Sequence, residues 1–536
     1  MFTLSGANGA DPHCSPDTAE KSAGWLPSRT LAKVEGFLKD PVHVQHILLR
    51  GLLQQAADTE WGRRYGFEEI ARARDVVAAY QARVPLHTYS DFEEDIRRIR
   101  GGARDVIWPG AFRHFAVSSG TTSTGKIIPV SAEMLAANRR FTLSVGITYL
   151  ARTGNVGYLL GKHVVLPGRI EEDPAYPGMK IGEVSGLQAE HTPFLYRHIL
   201  QAVPNEVAFL PNWEEKLREI ARRTVGKDVR CLIMVPSWSV VFFDELIRQH
   251  RKRFGSNART VADVWPRLQV FIAGGVALSS YRELLQEKIA SPKLRFLEVY
   301  GASEGFFSFQ DDANDPAMLL HLDNGVFFEF VRMDEINDPN ARRYTIGEVE
   351  TGVRYGLFVS TCSGLWSYPV GDVVRFTDTS PHKIFVAGRT SEMIDKYGEA
   401  VFGEEARHAL RVACERTGAH VRDFHVAPKP PEADRPPSHQ WLVEFERLPD
   451  SMDRFSEEID GYLNEFNRHY RIRREAQAFE RPDVIALPPG TFHAWFRETR
   501  EKVSGQTKVP RMREDRKIAD AVIALLNSET HAGERR

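Results

Sequence analysis

Cysteine is scarce in this chain, and its cysteines do not have the spacing of a disulfide framework or a metal site. Cys14, Cys231, Cys362 and Cys414 are spread over 536 residues without a C-x-x-C pair. This spacing argues against a small disulfide-rich secreted domain and against a zinc ribbon. Among the 18 histidines there is no H-E-x-x-H or comparable pairing, so the sequence predicts no structural zinc site. The pattern favours reduced, buried thiols in a cytoplasmic protein.

Long apolar runs and an excess of charge of one sign are also missing. No stretch approaches the roughly 18 apolar residues of a membrane span, and the chain does not begin with a basic segment followed by an apolar one. With 70 basic and 72 acidic side chains the net charge is −2, which gives no general attraction to nucleic acid or to an anionic membrane. We therefore expect no nucleic-acid partner, no membrane partner and no secretion.

The length and composition are those of an ordinary globular protein with at least two domains. A chain of 536 residues, 42% apolar and 26% charged, is too long for one hydrophobic core. Residues 1–26 are rich in Gly, Ala, Ser, Asp and Pro without periodicity, which is typical of a flexible tail. We expect a large domain over 27–390 and a small domain over 391–536, with a hinge at about 389–400.

Hydrophobic periodicity predicts an α/β fold of α+β layers, in which the large domain combines helices, sheets and a small β-barrel. Apolar residues at helical spacing dominate from Ser28 to about Arg100. Short apolar runs then alternate with helical segments, as in HVVLPG, CLIMVP, LQVFIAGG and LRFLEVYG, which is typical of buried strands. Between about 321 and 390, the short β-like pieces GVFFEFV, GEVE, GLFVST, DVVRFTD and HKIFVAG indicate a twisted sheet or the small barrel. Beyond the hinge, EEARHAL, QWLVEFE and a long helix near 455–470 indicate a small, mobile α+β domain.

The most informative stretch is SSGTTSTGKIIP, residues 118–129, which has the composition of a phosphate-binding loop. Its small residues let backbone N–H groups approach an anion, its hydroxyls donate further hydrogen bonds, and its lysine supplies a charge. The candidate phosphate-binding residues are Ser118, Ser119, Gly120, Thr121, Thr122 and Lys126. The spacing G-x-x-x-x-G-K is that of a P-loop, but a P-loop continues with Ser or Thr at the start of a helix. Ile127 and Pro129 predict a strand instead.

Two apolar strands further along the chain end in motifs that suit a nucleotide. FIAGGVALS, residues 271–279, offers Gly274 and Gly275 as backbone against which a flat purine can lie. VYGASEG, residues 299–305, follows the strand RFLE and would present Ser303 to a phosphate and Glu304 to magnesium. In isolation each motif is equally typical of an ordinary turn at the end of a strand.

Two later motifs extend the series. SYPVGDVVRF, residues 367–376, sets Asp372 after a glycine at the start of a strand, where a carboxylate can accept hydrogen bonds from both ribose hydroxyls. SGQTKVPR, residues 504–511, carries Lys508, whose long side chain can reach across an interface. Each alone is also typical of a turn or of a solvated surface lysine. Their occurrence in one order over several hundred residues favours a common site.

These motifs, taken together, resemble the plant and bacterial acyl acid amido synthetases, the auxin-responsive conjugating enzymes of the acyl-adenylate-forming superfamily. The resemblance covers nearly the whole chain and also includes TEWGRRYGF at 59–67, VPLHTYSDFEEDIRRI at 84–99, VPSW at 235–238 and GRTSEMIDK at 388–396. It implies that a carboxylate attacks the α-phosphorus of ATP to give an acyl adenylate and pyrophosphate. An amine or amino acid then attacks the acyl carbon. ATP and Mg²⁺ are the implied cofactors, small acids and amines the partners, and a monomer the expected state.

The resemblance assigns roles to particular residues. The loop from Ser118 to Lys126 would hold the leaving pyrophosphate, Glu304 the magnesium, Ser303 the α-phosphate and Asp372 the ribose. Lys508 would bridge the carboxylate and the α-phosphate, and is counted as catalytic together with Ser303 and Lys126. The remaining nucleotide-binding candidates are Gly274, Gly275, Tyr300, Gly301, Arg389 and Lys396. An apolar pocket for the acyl group would be lined by Trp238, Val241, Phe242 and Ala302.

Two alternatives stay open at this point. The first is an adenylating enzyme that passes the acyl group to coenzyme A or to a carrier-protein thiol, and amine-dependent release of AMP without a thiol distinguishes the two. The second is a non-catalytic nucleotide-binding switch protein, against which Ile127, Pro129 and Lys508 argue. The sequence names neither the acid nor the amine.

Overall fold

The structure is a computed structural model that describes residues 34, 36–118, 126–336, 338, 340–390, 392–394, 396–399, 401–432, 435–499 and 509–533. Several sequence predictions lie outside these described residues. They are the flexible tail at 1–26, the loop residues Ser119, Gly120, Thr121 and Thr122, and Lys508. Within the described ranges, no helix is both long enough and apolar enough to cross a membrane.

The α-helices of the described residues lie before residue 290 and after residue 402. In chain order they are α1 Pro41–Ala56, α2 Glu60–Tyr65, α3 Phe67–Arg72, α4 Val76–Arg83, α5 Tyr89–Arg100, α6 Ala132–Thr153, α7 Val184–Glu190, α8 Phe194–Ile199, α9 Asn205–Ala208, α10 Trp213–Thr224, α11 Pro236–Phe254, α12 Val261–Val264, α13 Arg282–Ile289, α14 Gly403–Thr417, α15 Met452–Phe466, α16 Arg468–Glu475, α17 Thr491–Thr499 and α18 Lys517–Gly533.

The strands are grouped in four sheets. In chain order they are β1 His114–Val117, β2 Ile127–Val130, β3 Lys162–Val165, β4 Ile170–Glu172, β5 Lys180–Gly182, β6 Val229–Met234, β7 Val270–Gly274, β8 Arg295–Ala302, β9 Gly305–Phe309, β10 Met318–Leu320, β11 Val326–Arg332, β12 Arg354–Thr361, β13 Tyr368–Thr379, β14 His382–Arg389, β15 Met393–Ile394, β16 Val401–Phe402, β17 His420–Lys429, β18 Ser438–Arg447 and β19 Asp483–Leu487.

The helical start of the chain follows directly from local sequence. In α5, FEEDIRRI, Phe92, Ile96 and Ile99 are buried at i, i+4 and i+7, which is one face of a helix. Thr88 and Asp91 form a capping box at its beginning. Between Pro41 and Arg100 the predicted helical region is therefore confirmed, and it packs on the same hydrophobic cluster as the strands that follow.

The main sheet has ten strands in the order β11-β12-β13-β14-β10-β9-β8-β7-β6-β3. The strands β3, β6, β7 and β8 run parallel, and from β9 onward the neighbours are antiparallel. The four runs HVVLPG, CLIMVP, LQVFIAGG and LRFLEVYG are therefore confirmed as strands, namely β3, β6, β7 and β8. Parallel strands with helices between them bury both sheet faces, which explains their continuous apolar sequences.

The segment between about 321 and 390, expected as a twisted sheet or a small barrel, is part of a twisted sheet and not a separate barrel. Its strands β11 to β14 form one end of the ten-stranded sheet. The sheet curls so strongly that Tyr300 on β8 hydrogen-bonds with Asp372 on β13, although three strands lie between them in the order of pairing. The segment GEVE is a turn, not a strand, because Glu348 accepts hydrogen bonds from the backbone and the hydroxyl of Thr345.

A separate hydrophobic cluster forms after the chain leaves the large sheet. It begins at Ile394 and includes Trp441 of β18 and Phe455 of α15. The sheet β17-β18-β19 carries this cluster, and QWLVEFE is confirmed as part of β18. The long helix expected near 455–470 is two helices, α15 and α16, because Asn467 leaves helical geometry and caps α16 through its side chain. The exact domain boundary at 390/391 stays a prediction.

Candidate active site

The carboxyl ends of the parallel strands lie next to one another and carry two of the predicted glycine motifs. Gly274 ends β7, and a Cβ atom at this position would lie 3.0 Å from Cγ2 of Val299 on β8. Gly275 has a φ of +84°, a backbone conformation that suits glycine. Both glycines therefore lie at the carboxyl edge of the parallel strands, which is the edge where ligands bind in open α/β sheets.

The motif VYGASEG forms the end of β8 and a tight hairpin into β9. Ala302 pairs with Gly305, so Ser303 and Glu304 are the two residues of the turn. Glu304 is buried, and this burial raises the pKa of its carboxyl group to about 7. The neighbouring Asp372 acts in the same direction, whereas Lys126 and Arg389 oppose the shift. A buried carboxylate with a raised pKa is stabilised in its charged form when a cation approaches it.

Tyr300, Asp372 and Arg389 form one polar cluster beside this hairpin. The hydroxyl of Tyr300 donates to Oδ2 of Asp372 at 2.7 Å. Arg389 on β14 is paired with Asp372 on β13, and its Nε lies 3.6 Å from Oδ1. The Asp372 carboxylate raises the pKa of Arg389, while burial raises that of Tyr300. The cluster thus holds the Asp372 carboxylate in one orientation.

The two ends of the candidate phosphate loop are joined directly. Ser118 donates its N–H to the carbonyl of Lys126 at 2.9 Å, and the N–H of Lys126 donates to Oγ of Ser118 at 3.2 Å. The flanking strands β1 and β2 are antiparallel, with Val117 opposite Ile127. The strand predicted at IIPV is therefore confirmed, and the loop is the tip of a hairpin.

Two tyrosines that the sequence did not single out hold Lys126. Its Nζ lies 5.6 Å from the ring centre of Tyr89 and 5.8 Å from that of Tyr368. The hydroxyl oxygen of Tyr89 accepts the N–H of Ile127 at 3.0 Å. Tyr368 has a buried hydroxyl with no hydrogen-bond partner in the described part of the chain. The first tyrosine belongs to HTYSDF and the second to SYPVGD, motifs already noted, but nothing local in those sequences aims their rings at Lys126.

The segment around Lys508 belongs to the part of the chain after β14, near the C-terminal end of the sequence. Lys508 itself lies outside the described residues. Arg511, three residues later, donates its N–H to Oε1 of Glu392 at 3.2 Å and its guanidinium to Asp423. The same guanidinium reaches the hydroxyl of Tyr281 in the large domain. Lys396 is exposed, and the structure does not bring it to the cluster around Asp372.

The predicted acyl pocket needs correction. Val241 lies on the outer face of α11 and is 52% exposed, whereas Phe242 is fully buried against Phe243 and Trp265. Successive helix positions point about 100° apart, so these two side chains do not line one cavity. Trp238 packs in the same cluster as Phe242, in contact with Trp213. Ala302 packs against a different cluster. The four residues therefore do not form one pocket wall.

The chain matches known families over most of its length. It matches the GH3 family N-terminal domain over residues 30–166 and 144–294, the central domain over 319–389 and the C-terminal domain over 404–517. A probable indole-3-acetic acid-amido synthetase GH3.1 of Oryza sativa subsp. japonica is 36% identical over 437 residues, covering 68% of this chain and 69% of the relative. The indole-3-acetic acid-amido synthetase GH3.4 of Arabidopsis thaliana is 22% identical over 478 residues, covering 76% and 77%.

Solved structures show the same fold. The GH3.15 acyl acid amido synthetase superposes with a TM-score of 0.74 at 18% identity, covering 92% of this chain and 95% of that one. A 2-hydroxyisobutyryl-CoA ligase in the postadenylation state superposes with a TM-score of 0.58 at 13% identity, covering 90% and 91%. The expected architecture, a large N-terminal domain followed by a C-terminal domain, is confirmed. The chain belongs to the GH3 family, the ATP-dependent acyl acid amido synthetases of the adenylate-forming superfamily.

Proposed function

We propose that the chain adenylates a small carboxylic acid at the cluster of Glu304, Tyr300, Asp372 and Arg389, and then joins the acyl group to an amino acid. The observation that carries this assignment is the meeting of three separate motifs at one place. Asp372 is hydrogen-bonded to Tyr300 at 2.7 Å, and the charges of both Asp372 and Lys126 act on the pKa of Glu304. This combination offers a ribose acceptor, a metal ligand and a phosphate-binding cation in a single crevice.

The residues of the crevice suit ATP and Mg²⁺. The buried hydroxyl of Tyr368, without a partner among the described residues, is an open hydrogen-bonding group next to Lys126. The Glu304 carboxyl group, whose pKa burial raises to about 7, gains most from a nearby cation. Glu304 would therefore hold the metal, which supplies charge neutralisation at the phosphates when bound.

The protein's part in the first half-reaction is positioning and charge stabilisation. Asp372 would accept hydrogen bonds from the ribose hydroxyls, with Tyr300 and Arg389 fixing its orientation. Ser303, at the tip of the β8–β9 hairpin, would contact the α-phosphate. The hairpin loop from Ser118 to Lys126 would hold the leaving pyrophosphate, with its ends fixed by the two hydrogen bonds between those residues. Lys508 would bridge the carboxylate and the α-phosphate. Gly274 and Gly275 would lie against the purine.

The names of relatives indicate the classes of acid and amine. They include indole-3-acetic acid-amido synthetases, a jasmonoyl-L-amino acid synthetase of Nicotiana attenuata, and a GH3.15 structure in complex with 2,4-DB. We therefore propose an apolar or aromatic acid as acyl substrate and an amino acid as acceptor. Ala302, at the end of β8, is the residue of the predicted pocket that lies closest in sequence to Ser303, and the acid would enter beside it.

A cytoplasmic, monomeric enzyme agrees with the chemistry of the chain. Cys231, Cys362 and Cys414 are free thiols, as expected of a reducing compartment. Size-exclusion chromatography with light scattering tests the monomer, and a mass of about twice 60.7 kDa would contradict it.

The experiment that tests the proposal is pyrophosphate exchange over a panel of carboxylic acids. With magnesium present, labelled pyrophosphate should enter ATP only when an indolyl, aryl or fatty acid that fits the pocket is added. Adding single amino acids should then release AMP and form an amide without any thiol. No exchange across the panel, with a folded protein that still binds ATP, would contradict the proposal. Release that depends on coenzyme A and not on an amine would assign the chain to thioester formation.

A further inference from the structure

Two histidines and one glutamate meet at the end of the β1–β2 hairpin that is remote from the phosphate loop. His114 begins β1, Glu190 is the last residue of α7, and His191 caps that helix. One ligand atom from each of the three side chains lies within 4.8 Å of the other two. The imidazole rings of His114 and His191 are 4.7 Å apart between centres and nearly perpendicular. The sequence showed no such site, because the first ligand lies 76 positions before the second.

A hydrogen bond to the backbone fixes the tautomer of the His191 imidazole. Its Nδ1 lies 2.9 Å from the carbonyl oxygen of Leu187. A carbonyl oxygen only accepts hydrogen bonds, so Nδ1 carries the proton and Nε2 keeps its lone pair. Donation of one ring nitrogen to a backbone carbonyl is the usual arrangement that fixes the tautomer of a metal-binding histidine.

The carboxylate of Glu190 has an unused ligand atom. Its Oε1 accepts a hydrogen bond from Nζ of Lys180, the residue opposite His114 on β5. Its Oε2 is buried and has no hydrogen-bond partner within the described ranges. A buried carboxylate oxygen without a donor costs free energy unless a cation satisfies it. The two oxygens are thus in different environments, and only one of them is paired.

We propose that His114, Glu190 and His191 bind a divalent transition-metal ion, with Zn²⁺ as the preferred ion. Two imidazoles and one carboxylate are a common protein ligand set for zinc, with a water molecule completing a tetrahedral site. Bonds of about 2.0–2.2 Å at tetrahedral angles need ligand atoms about 3.4 Å apart, so small side-chain rotations from the observed spacing suffice. Magnesium prefers oxygen ligands and water, so this site differs in chemistry from Glu304.

The metal would tie α7 to the strand that leads into the phosphate loop. β1 runs from His114 to Val117, and Ser118 follows directly. Four residues of extended chain span about 13 Å, so the ion would not contact ATP. Its effect would be to fix the remote end of the β1–β2 hairpin and the parallel pairing of His114 with Lys180.

The test uses the full chain after treatment with a chelator. Zn²⁺ and Co²⁺ are added in separate titrations. Calorimetry follows the binding of each ion, and visible absorption follows the binding of Co²⁺. We expect one Co²⁺ or one Zn²⁺ ion to bind per chain at this site. Zn²⁺ should displace bound Co²⁺, whereas millimolar Mg²⁺ should not. His114→Ala, Glu190→Gln and His191→Ala should each weaken binding at least about tenfold, since losing even an outer-shell partner of a metal site costs that much.

The matched control is His198→Ala, because His198 is an exposed histidine on the neighbouring helix α8. This variant should bind zinc with the full affinity. Circular dichroism of each variant separates loss of a ligand from loss of fold, and Glu190→Gln preserves the shape of the side chain. The proposal would be overturned if the chelator-treated chain did not bind zinc. It would also be overturned if all three folded variants bound zinc as tightly as the wild type. The readout does not depend on enzymatic activity.

Discussion

The hydroxyl of Tyr300 donates a hydrogen bond of 2.7 Å to the carboxylate of Asp372, joining β8 to β13 across the curled main sheet. The two residues are 72 positions apart, and three strands lie between theirs in the order of pairing. The bond therefore couples the curvature of the sheet to the orientation of one carboxylate. If that carboxylate holds the ribose, nucleotide binding depends on the shape of the whole sheet as well as on local contacts.

Asp372→Ala should weaken ATP binding without unfolding the protein. Losing two hydrogen bonds to a charged group costs about 2–4 kcal/mol, or about 30- to 1,000-fold in affinity. Tyr300→Phe keeps the buried ring and removes only the hydroxyl, so we expect a smaller loss of about 3- to 10-fold. Calorimetric titration with a non-hydrolysable ATP analogue measures both. Equal ATP affinity in the wild type and the Asp372 variant would show that this residue serves only its contacts with Tyr300 and Arg389 and does not bind the nucleotide.

Glu304→Gln should change the magnesium dependence of pyrophosphate exchange more than the affinity for ATP itself. The amide keeps the size of the side chain but loses the charge that would bind the ion, so the magnesium concentration for half-maximal exchange should rise at least about tenfold. Glu298→Gln is the control, because Glu298 is on β8, the strand that leads to Glu304, and its carboxylate accepts the N–H of Leu278 at 3.0 Å. Identical magnesium curves for the two variants would argue against Glu304 as ligand.

Local sequence predicted the helical region that ends at Arg100 and the strands β3, β6, β7 and β8, because helical spacing and short continuous apolar runs are local signals. Sequence reasoning failed at GEVE, where a strand was expected. There the Glu348 side chain accepts hydrogen bonds from the N–H and the hydroxyl of Thr345, and the segment forms a turn. Sequence reasoning also failed at Val241 and Phe242, since adjacent apolar residues on a helix point to different sides. The contacts of Lys126 with Tyr89 and Tyr368 depend on how distant strands meet, which no local pattern encodes.

Acid should loosen the segment next to Lys508 through His425. Its Nδ1 donates to the carbonyl of Pro510 at 2.6 Å, and its Nε2 is buried without a hydrogen-bond partner among the described residues. Burial lowers the pKa of His425 to about 4, Arg513 acts in the same direction, and Asp515 and Glu392 oppose it. The unfolded chain binds this proton near pH 6.5, so the stabilisation is complete above pH 6.5 and is lost as the pH falls towards 4.

At pH 5 the loss due to His425 should amount to about 2 kcal/mol relative to pH 7. His425→Asn keeps a donor near Pro510 and removes the titration, so its urea midpoint should fall less between these two pH values. His420→Asn, at the exposed start of the same strand β17, should behave like the wild type. If the His425 variant loses as much stability as the wild type between pH 7 and pH 5, another group controls the acid sensitivity.

Lys508→Ala should separate the two half-reactions. If Lys508 bridges the carboxylate and the α-phosphate only during adenylation, the variant should form acyl adenylate about 100-fold more slowly, the effect of losing one preorganised electrostatic contact. Amide formation from a chemically made acyl adenylate should be much less affected, because that step needs the amine positioned at the acyl carbon. Lys517→Ala is the matched control, because Lys517 is an exposed lysine at the start of α18. This variant should keep the rates of both adenylation and amide formation.

The surroundings of Lys508 explain why this result would indicate movement of the C-terminal domain. Arg511 ties the segment to Asp423 and Glu392 and reaches Tyr281 of the large domain. A lysine carried by such a segment reaches the nucleotide only in a domain orientation that brings it there, which is how a residue serves one half-reaction and not the other. Single-turnover assays of each step give the two rates. Equal losses in both steps would mean that Lys508 supports the closed site as a whole, and the argument for rotation would fail.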